Sequence, residues 1–350
     1  MADTLRNFVL TMAMSRPTSF AAFKKLHVIS LVASLAILSI LYTFWGGGLS
    51  SISNSNEHYS SGVPTLSNPF NHDGMHTKAA PADTEEYVAF CVAHRNQVRD
   101  IPEFLTHHYH HHGIRRFYIM DDRSSPPLSS FNDWGIPRSA VSFQYYDKNA
   151  QYPNMQTHIY SECQRLYGSL HSWIAYIDAD EFFETRGGET LPSILREFDK
   201  DESVGALGVN WRLHSSANLT TRPESMRQSF TSCPIDPENI PDGEIQGWKD
   251  NRLIKSIVKT ALFEKPLTPH LFKTVNGTRT VGEHGDVIEY GDGVRQPITR
   301  ERIGLHHYTV KSREQFEEKT KNWSMKGWEY WDHIEGLPQV QCDEMTKYKP

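Results

Sequence analysis

The chain has 350 residues, 38% of them hydrophobic and 22% charged, with a formal net charge of −6. That length and composition describe a globular protein with one large or two small domains. The acidic balance argues against nucleic acid as the main partner, because no excess of Lys and Arg exists to neutralise phosphates.

In chain order, the first feature is an uncharged apolar run over residues 28–45, VISLVASLAILSILYTFW. It is about as long as a helix that crosses a bilayer, at the short end of that range. Arg16, Lys24 and Lys25 precede it, and a glycine triplet and a Ser/Asn-rich stretch follow. The positive-inside rule therefore predicts a signal anchor, with residues 1–27 a cytosolic tail and the rest luminal. A cleaved signal peptide is the competing reading, but no A-x-A site follows and the preceding segment is long for an n-region. Residues 46–84 are rich in Ser, Asn, Gly, Pro and His and predict a flexible stem. Three sequons, beginning at Asn218, Asn276 and Asn322, agree with a luminal location.

Order is expected from Glu86, with a first core strand ending near Val92 and a polar loop, His94-Arg95-Asn96-Gln97, at its carboxyl end. Asp100-Ile101-Pro102-Glu103 reads as a helix start with Asp100 as the cap, and Gly113 as its stop. A second strand, Arg116–Met120, runs into Asp121 and Asp122, completing a βαβ unit with a parallel pair. A third strand is expected at Val141–Tyr146 and a helix from Asn154 to Ser169.

Then comes WIAYIDADEFF, residues 173–183. An apolar run buried on both faces stops at Asp178, Asp180 and Glu181, and carboxylates there are costly unless a cation or strong donors meet them. Ligands bind at the carboxyl ends of strands in α/β sheets, so this stretch predicts a strand end holding a divalent ion and a phosphorylated ligand. A second D-x-D, Asp199-Lys200-Asp201, sits in a polar segment and reads as a solvated loop.

Further on, a short helix is expected over Leu191–Phe198 and strands over Val204–Arg212, Ile254–Val258 and Arg302–Tyr308. Residues 217–250 read as irregular, and Ser312–Asn322 as an amphipathic helix carrying Phe316 inward. Cys91, Cys163, Cys233 and Cys342 show no C-x-x-C spacing, which argues against zinc. Disulfides are expected in an oxidising lumen without a readable pairing, and Cys91 reads as a buried free thiol. The run from His107 to His112 invites a metal reading, but with no third ligand nearby it reads as half-buried helix histidines.

The ordered blocks C-V-A, H-x-x-x-G-I, F-Y-I-M-D-D-R-S, W-I-A-Y-I-D-A-D-E-F-F, K-S-I-V-K and H-H-Y-T-V-K-S-R-E-Q-F-E-E-K together resemble glycosyltransferase family 92, the former DUF23 domains, and related family-2-like enzymes. The resemblance covers roughly residues 86 to 325. It implies an α/β GT-A fold, a mostly parallel sheet flanked by helices, spanning residues 85–335 with a C-terminal tail over 336–350. It further implies a UDP-sugar donor bound through Mn²⁺ (or Mg²⁺), galactose as the sugar, and inversion. Asp178 and Asp180 would match the metal-binding D-x-D, His306 or His307 the histidine completing the metal site, and Asp121 and Asp122 the acids beside the nucleoside. One departure is Arg95-Asn96-Gln97, where such enzymes often show Asn-Glu.

The chemistry asks for more. A leaving diphosphate needs a Lewis acid, and oxygen ligands with a histidine favour Mn²⁺. Lys255, Lys259, Arg212 and Lys311 are candidates for the diphosphate. A base must take the acceptor's proton. Asp250 is the first candidate, following Trp248, with Glu181 and Glu184 as rivals. Trp211 and Trp248 are equally sugar platforms or core residues. His270 and His284 are candidate substrate-side groups. The expected partners are the nucleotide sugar, a glycan acceptor, the Golgi or another secretory-pathway membrane, and a second copy in a homodimer. Two other functions fit a D-x-D: a haloacid-dehalogenase-like phosphohydrolase with an Asp nucleophile, and an anchored carbohydrate-binding protein without catalysis.

Overall fold

The structure is a computed structural model and describes residues 86–149, 152–236, 250–275, 277–289, 291, 293–321 and 327–349. The expected anchor and stem lie outside the described residues, as do Trp248 and the sequon asparagines Asn276 and Asn322. Among the described residues no helix is long and apolar enough to cross a membrane.

The strands are β1 (Val88–His94), β2 (Phe117–Asp122), β3 (Val141–Tyr146), β4 (Trp173–Ile177), β5 (Glu181–Thr185), β6 (Val204–Leu213), β7 (Ser232–Pro234), β8 (Ile254–Lys259), β9 (Phe263–Pro266), β10 (Phe272–Thr274), β11 (Arg279–Val281), β12 (Val287–Ile288), β13 (Ile303–His307) and β14 (Gln339–Gln341). The helices that matter for the site are α1 (Ile101–His111), α2 (Met155–Tyr167), α3 (Leu191–Phe198), α4 (Arg313–Thr320) and α5 (Gly327–Gly336).

The main sheet runs β12-β11-β6-β8-β4-β1-β2-β3. β3, β2, β1 and β4 are mutually parallel. β8 is antiparallel and lies between β4 and β6. β13 adds to the end of β6 in parallel and pairs with β5 antiparallel. Strand order reverses between β1 and β4, and such a switch point opens a crevice beyond the carboxyl ends of the strands.

Side chains alternate across the sheet. Phe90 and Val92 of β1 and Trp173, Ala175 and Ile177 of β4 pack with Phe104, Leu105, Ile194 and Leu195 of α1 and α3. Ala89 and Cys91 with Ile174 and Tyr176 pack on the other face with Ile159, Tyr160 and Cys163 of α2. The result is a three-layer α/β arrangement.

Four expectations are corrected. Asp100 occupies the cap position of α1 but makes no capping bond with its side chain. It is 2% exposed and is instead ion-paired with Lys311 at 2.6 Å and with Arg222. Cys91 is not a free thiol: it is bonded to Cys163, and Cys233 to Cys342. The stretch after residue 217 contains a helical turn at Met226–Ser229 and β7. The expected C-terminal tail is built into the fold, through β14 on β7, the Cys233–Cys342 bond, and an ion pair from Lys347 to Glu184 at 2.6 Å. The helix expected at Ser312–Asn322 runs over Arg313–Thr320, started by a reciprocal cap between Ser312 and Gln315.

The histidine run has a structural explanation. His107 and His112 donate to the Phe183 carbonyl at 2.8 and 2.7 Å, and the Phe183 N–H donates to His108 at 3.1 Å. Three fully buried rings thus clamp one peptide of β5 onto α1.

Candidate functional site

A cavity of about 490 Å³ opens at the switch point. The β1 loop (His94, Arg95, Gln97), Asp122 after β2, the first turns of α2 and the D-x-D after β4 form one side of it. Trp211 of β6, Lys255 of β8, His270, His307 of β13 and residues of α4 and α5 line the rest. The β1 loop is tied to the loop after β2, because the Asn96 N–H donates to Ser124 Oγ at 2.7 Å and the Ser125 N–H to Asn96 Oδ1 at 3.1 Å.

Asp178 and Asp180 both face the cavity, and each is held by an ammonium group. Lys255 Nζ lies 2.8 Å from Asp178 Oδ2, and Lys319 Nζ 3.0 Å from Asp180 Oδ2. Burial pushes the Asp178 carboxyl up, but Lys255 outweighs it and holds it below its ordinary value. Asp180 is buried as well, yet Lys319, Lys311 and His307 hold it well below the usual carboxylate range. Both are therefore ionised at neutral pH. His307 Nε2 is 3.6 Å from Asp180 Oδ1. Burial lowers the affinity of His307 for a proton, and its Nδ1 has no hydrogen-bond partner. Two ionised carboxylates and an imidazole whose Nε2 faces Asp180, with Nδ1 turned toward Glu181 at 3.9 Å, are the ligand types that suit a hard divalent ion. In this conformation they do not converge on one point. Among the described residues the one His/Cys/Asp/Glu trio with ligand atoms within 4.8 Å is His214, Cys233 and Cys342, and those sulfurs are in a disulfide.

The other expected residues divide. Glu181 is fully buried and outside the cavity; its Oε2 accepts from the Asp178 N–H at 2.8 Å, and burial pushes its carboxyl well up. It braces the D-x-D turn from behind and does not line the cavity. Asp121 also faces inward, accepting from the N–H groups of Ser124 and Leu128 at 2.9 and 2.8 Å, whereas Asp122 lines the cavity beside Arg123. Lys311 is 2% exposed, behind Asp180 at 3.7 Å. Lys259, at the far end of β8, donates to the carbonyls of Phe198 and Asp201. Four residues along a strand is roughly 13 Å, which removes it from Lys255.

His306 and Arg212 line a separate cavity of about 290 Å³ with Arg186 and Arg300, and Glu184 is buried behind His306 at 3.2 Å. Asp250 does not line the main cavity; it meets His333 at 3.0 Å. Tyr330 does line it, and it is hydrogen-bonded to Asp250. Trp211 is only 6% exposed, with its ring 4.3 Å from His307 and 5.0 Å from His270. His270 lines the cavity; His284 is outside it, paired with Glu283 and Glu301.

Sequence reasoning missed Lys319. Its signal was available: Lys319 follows Phe316 by three residues, so both share the inward face of α4.

Residues 86–333 match the family model of glycosyltransferase family 92. A glycosyltransferase family 92 protein of Oryza sativa subsp. japonica is 25% identical over 147 residues, 41% of this chain and 24% of that protein. The chain thus spans about a quarter of the length of the curated relative it matches. A mannosyltransferase from Pyrobaculum calidifontis, in complex with GDP-Man and Mn²⁺, is similar over 38% of each chain, at 19% identity and a TM-score of 0.29. TarS 1–349 of S. aureus is similar over 69% of this chain and 67% of that one, at 11% identity and a TM-score of 0.35.

Proposed function

The chain belongs to glycosyltransferase family 92, and from that premise we propose that it is a membrane-anchored transferase that moves a hexosyl group, galactosyl by family kinship, from a UDP-sugar to a glycan acceptor. The fold is read as GT-A, the metal as Mn²⁺ or Mg²⁺ and the outcome as inversion. The observation that carries this reading is the D-x-D: Asp178 and Asp180, both ionised, face one cavity at the strand-order switch with His307 beside them. The phosphohydrolase alternative lapses with the family.

Asp178, Asp180 and His307 would hold the ion, which when bound supplies Lewis acidity toward the leaving diphosphate. Lys255 keeps Asp178 ionised and oriented. The β1 loop and Asp122 form the side of the cavity assigned to the nucleoside. Asp250 is the carboxylate proposed for the acceptor's proton; it stands behind the cavity, bonded to His333 and to Tyr330, which does line it. The apolar run at residues 28–45 supports a type II anchor with the enzyme in the Golgi lumen, and two disulfides suit an oxidising compartment.

The test is UDP binding by the 350-residue chain with and without Mn²⁺, in wild type and Asp180→Ala. Binding that needs the metal and disappears in the variant is expected. Binding indifferent to both would sink the reading.

A further inference from the structure

Three lysines surround the D-x-D, and they are not equivalent. Lys255 comes from the sheet, is fully buried, and sits between Asp178 at 2.8 Å and Glu181 at 3.8 Å. Lys311 is buried behind the motif, where its main partner is Asp100 at 2.6 Å. Lys319 alone of the three belongs to a helix, α4. It lines the cavity, donating to Asp180 Oδ2 at 3.0 Å and to the Thr309 carbonyl at 3.2 Å.

Its position creates a conflict. Lys319 holds Asp180 Oδ2 while His307 faces Oδ1, so a divalent ion on Asp180 would share one carboxylate with an ammonium group a few ångströms away, and the two cations repel. Removing Lys319 from Asp180 requires somewhere for a desolvated ammonium to go. A diphosphate delivered with the metal provides it, since its oxygens accept charge-assisted bonds and the four-carbon lysine stem can swing to meet them. Asp180 does not depend on Lys319 for all its compensation, because Lys311 remains 3.7 Å away.

We propose that Lys319 is an exchange cation of the donor site, bound to Asp180 until a metal–nucleotide pair arrives, then transferring to the diphosphate. The proposal rests on the donor reading given above. It makes metal and nucleotide binding mutually dependent, as any shared coupling must be. Metal alone has to displace an ammonium group with no new partner for it; metal with UDP does not. Lys319 is in this sense a positioning residue for the metal and a binding residue for the donor.

The experiment is a Mn²⁺ titration of the 350-residue chain, followed by the electron paramagnetic resonance signal of free Mn²⁺, with and without UDP. Wild type is expected to bind Mn²⁺ weakly alone and about tenfold or more tightly with UDP. Lys319→Met is expected to bind Mn²⁺ alone more tightly, roughly threefold or more, while the gain from UDP shrinks to about threefold or less. Lys319→Arg, which keeps the charge, should leave binding of Mn²⁺ alone weak. Lys321→Ala, exposed at the end of the same helix, is the control and should match wild type. Thermal unfolding of each variant establishes that it is folded before titration. Unchanged or weaker binding of Mn²⁺ alone in Lys319→Met overturns the exchange. If wild type binds Mn²⁺ and UDP together but all variants match it, the exchange falls and the donor reading survives. If wild type binds neither, the donor reading falls and takes the exchange with it.

Discussion

His306 and His307 are consecutive on β13 and serve opposite faces of the sheet: His307 stands 3.6 Å from Asp180, while His306 is bonded to His214 at 2.8 Å and Glu184 at 3.2 Å. Replacing each separates a ligand role from a structural one. His307→Ala should abolish Mn²⁺-dependent UDP binding with little change in thermal stability. His306→Ala should leave UDP binding in place and destabilise by about 1–3 kcal/mol, because buried Glu184 and His214 each lose a partner. Nucleotide titration and thermal unfolding of both variants check this; the reverse pattern would place the metal on the other face.

Asp100→Ala distinguishes a helix cap from a buried ion pair. Loss of a cap costs about 1 kcal/mol. Removing the carboxylate that compensates Lys311, with both side chains 2% exposed, should cost about 3–5 kcal/mol. Urea denaturation measures the difference, and a loss near the smaller figure would restore the capping role.

Stability should depend on acid through the histidines of α1 and its cap. Burial is the main force pressing His107, His108 and His112 below their ordinary value, with neighbouring histidines, Arg227 and Lys347 acting the same way; hydrogen bonds to the Phe104 and Phe183 carbonyls, and Glu184 near His112, oppose it. Their folded values are depressed, so the unfolded chain takes up protons first. The contribution is complete above about pH 6.5 and is lost as the pH falls toward about 4, where His112 titrates in the fold. Melting temperature should decline over that window, and His112→Gln should flatten the decline. A level profile down to about pH 5 would contradict it.

The Cys233–Cys342 bond closes a loop with a sequence separation of 109. Cys342→Ser should lower stability by about 2–5 kcal/mol. UDP affinity should stay the same, since neither sulfur lines the main cavity. A change in affinity without a change in melting temperature would mean that the C-terminal segment takes part in the site.

What could be read in advance was what local pattern encodes. The apolar run ending at Asp178 had to be a buried strand with an acidic end that needs cations beside it, and Asn154 and Gly113 mark helix ends by their own chemistry. Distant pairing was not legible. Asp100 looked like a cap because caps and buried anions use the same residue, and only Lys311, more than two hundred positions later, decides between them. The split between His306 and His307 follows from strand alternation, but which of the two faces the D-x-D depends on the register of β13 against β5 and β6. Lys255 and Lys259 looked alike in K-S-I-V-K until the strand's direction placed one at the carboxyl end of β4 and the other away from it. Cys91 looked apolar because it is; its bond to Cys163 requires knowing that α2 crosses β1 there.

That bond joins β1 to α2, and both elements also line the main cavity, with His94 and Arg95 at the end of β1 and Met155, Gln156 and Ile159 in the first turns of α2. Those two walls are therefore tied covalently only where the thiols have been oxidised. Chains made in a reducing cytosol and chains made in an oxidising compartment would share every residue and differ in that tether, so nucleotide affinities compare between preparations only when the state of Cys91 and Cys163 is known.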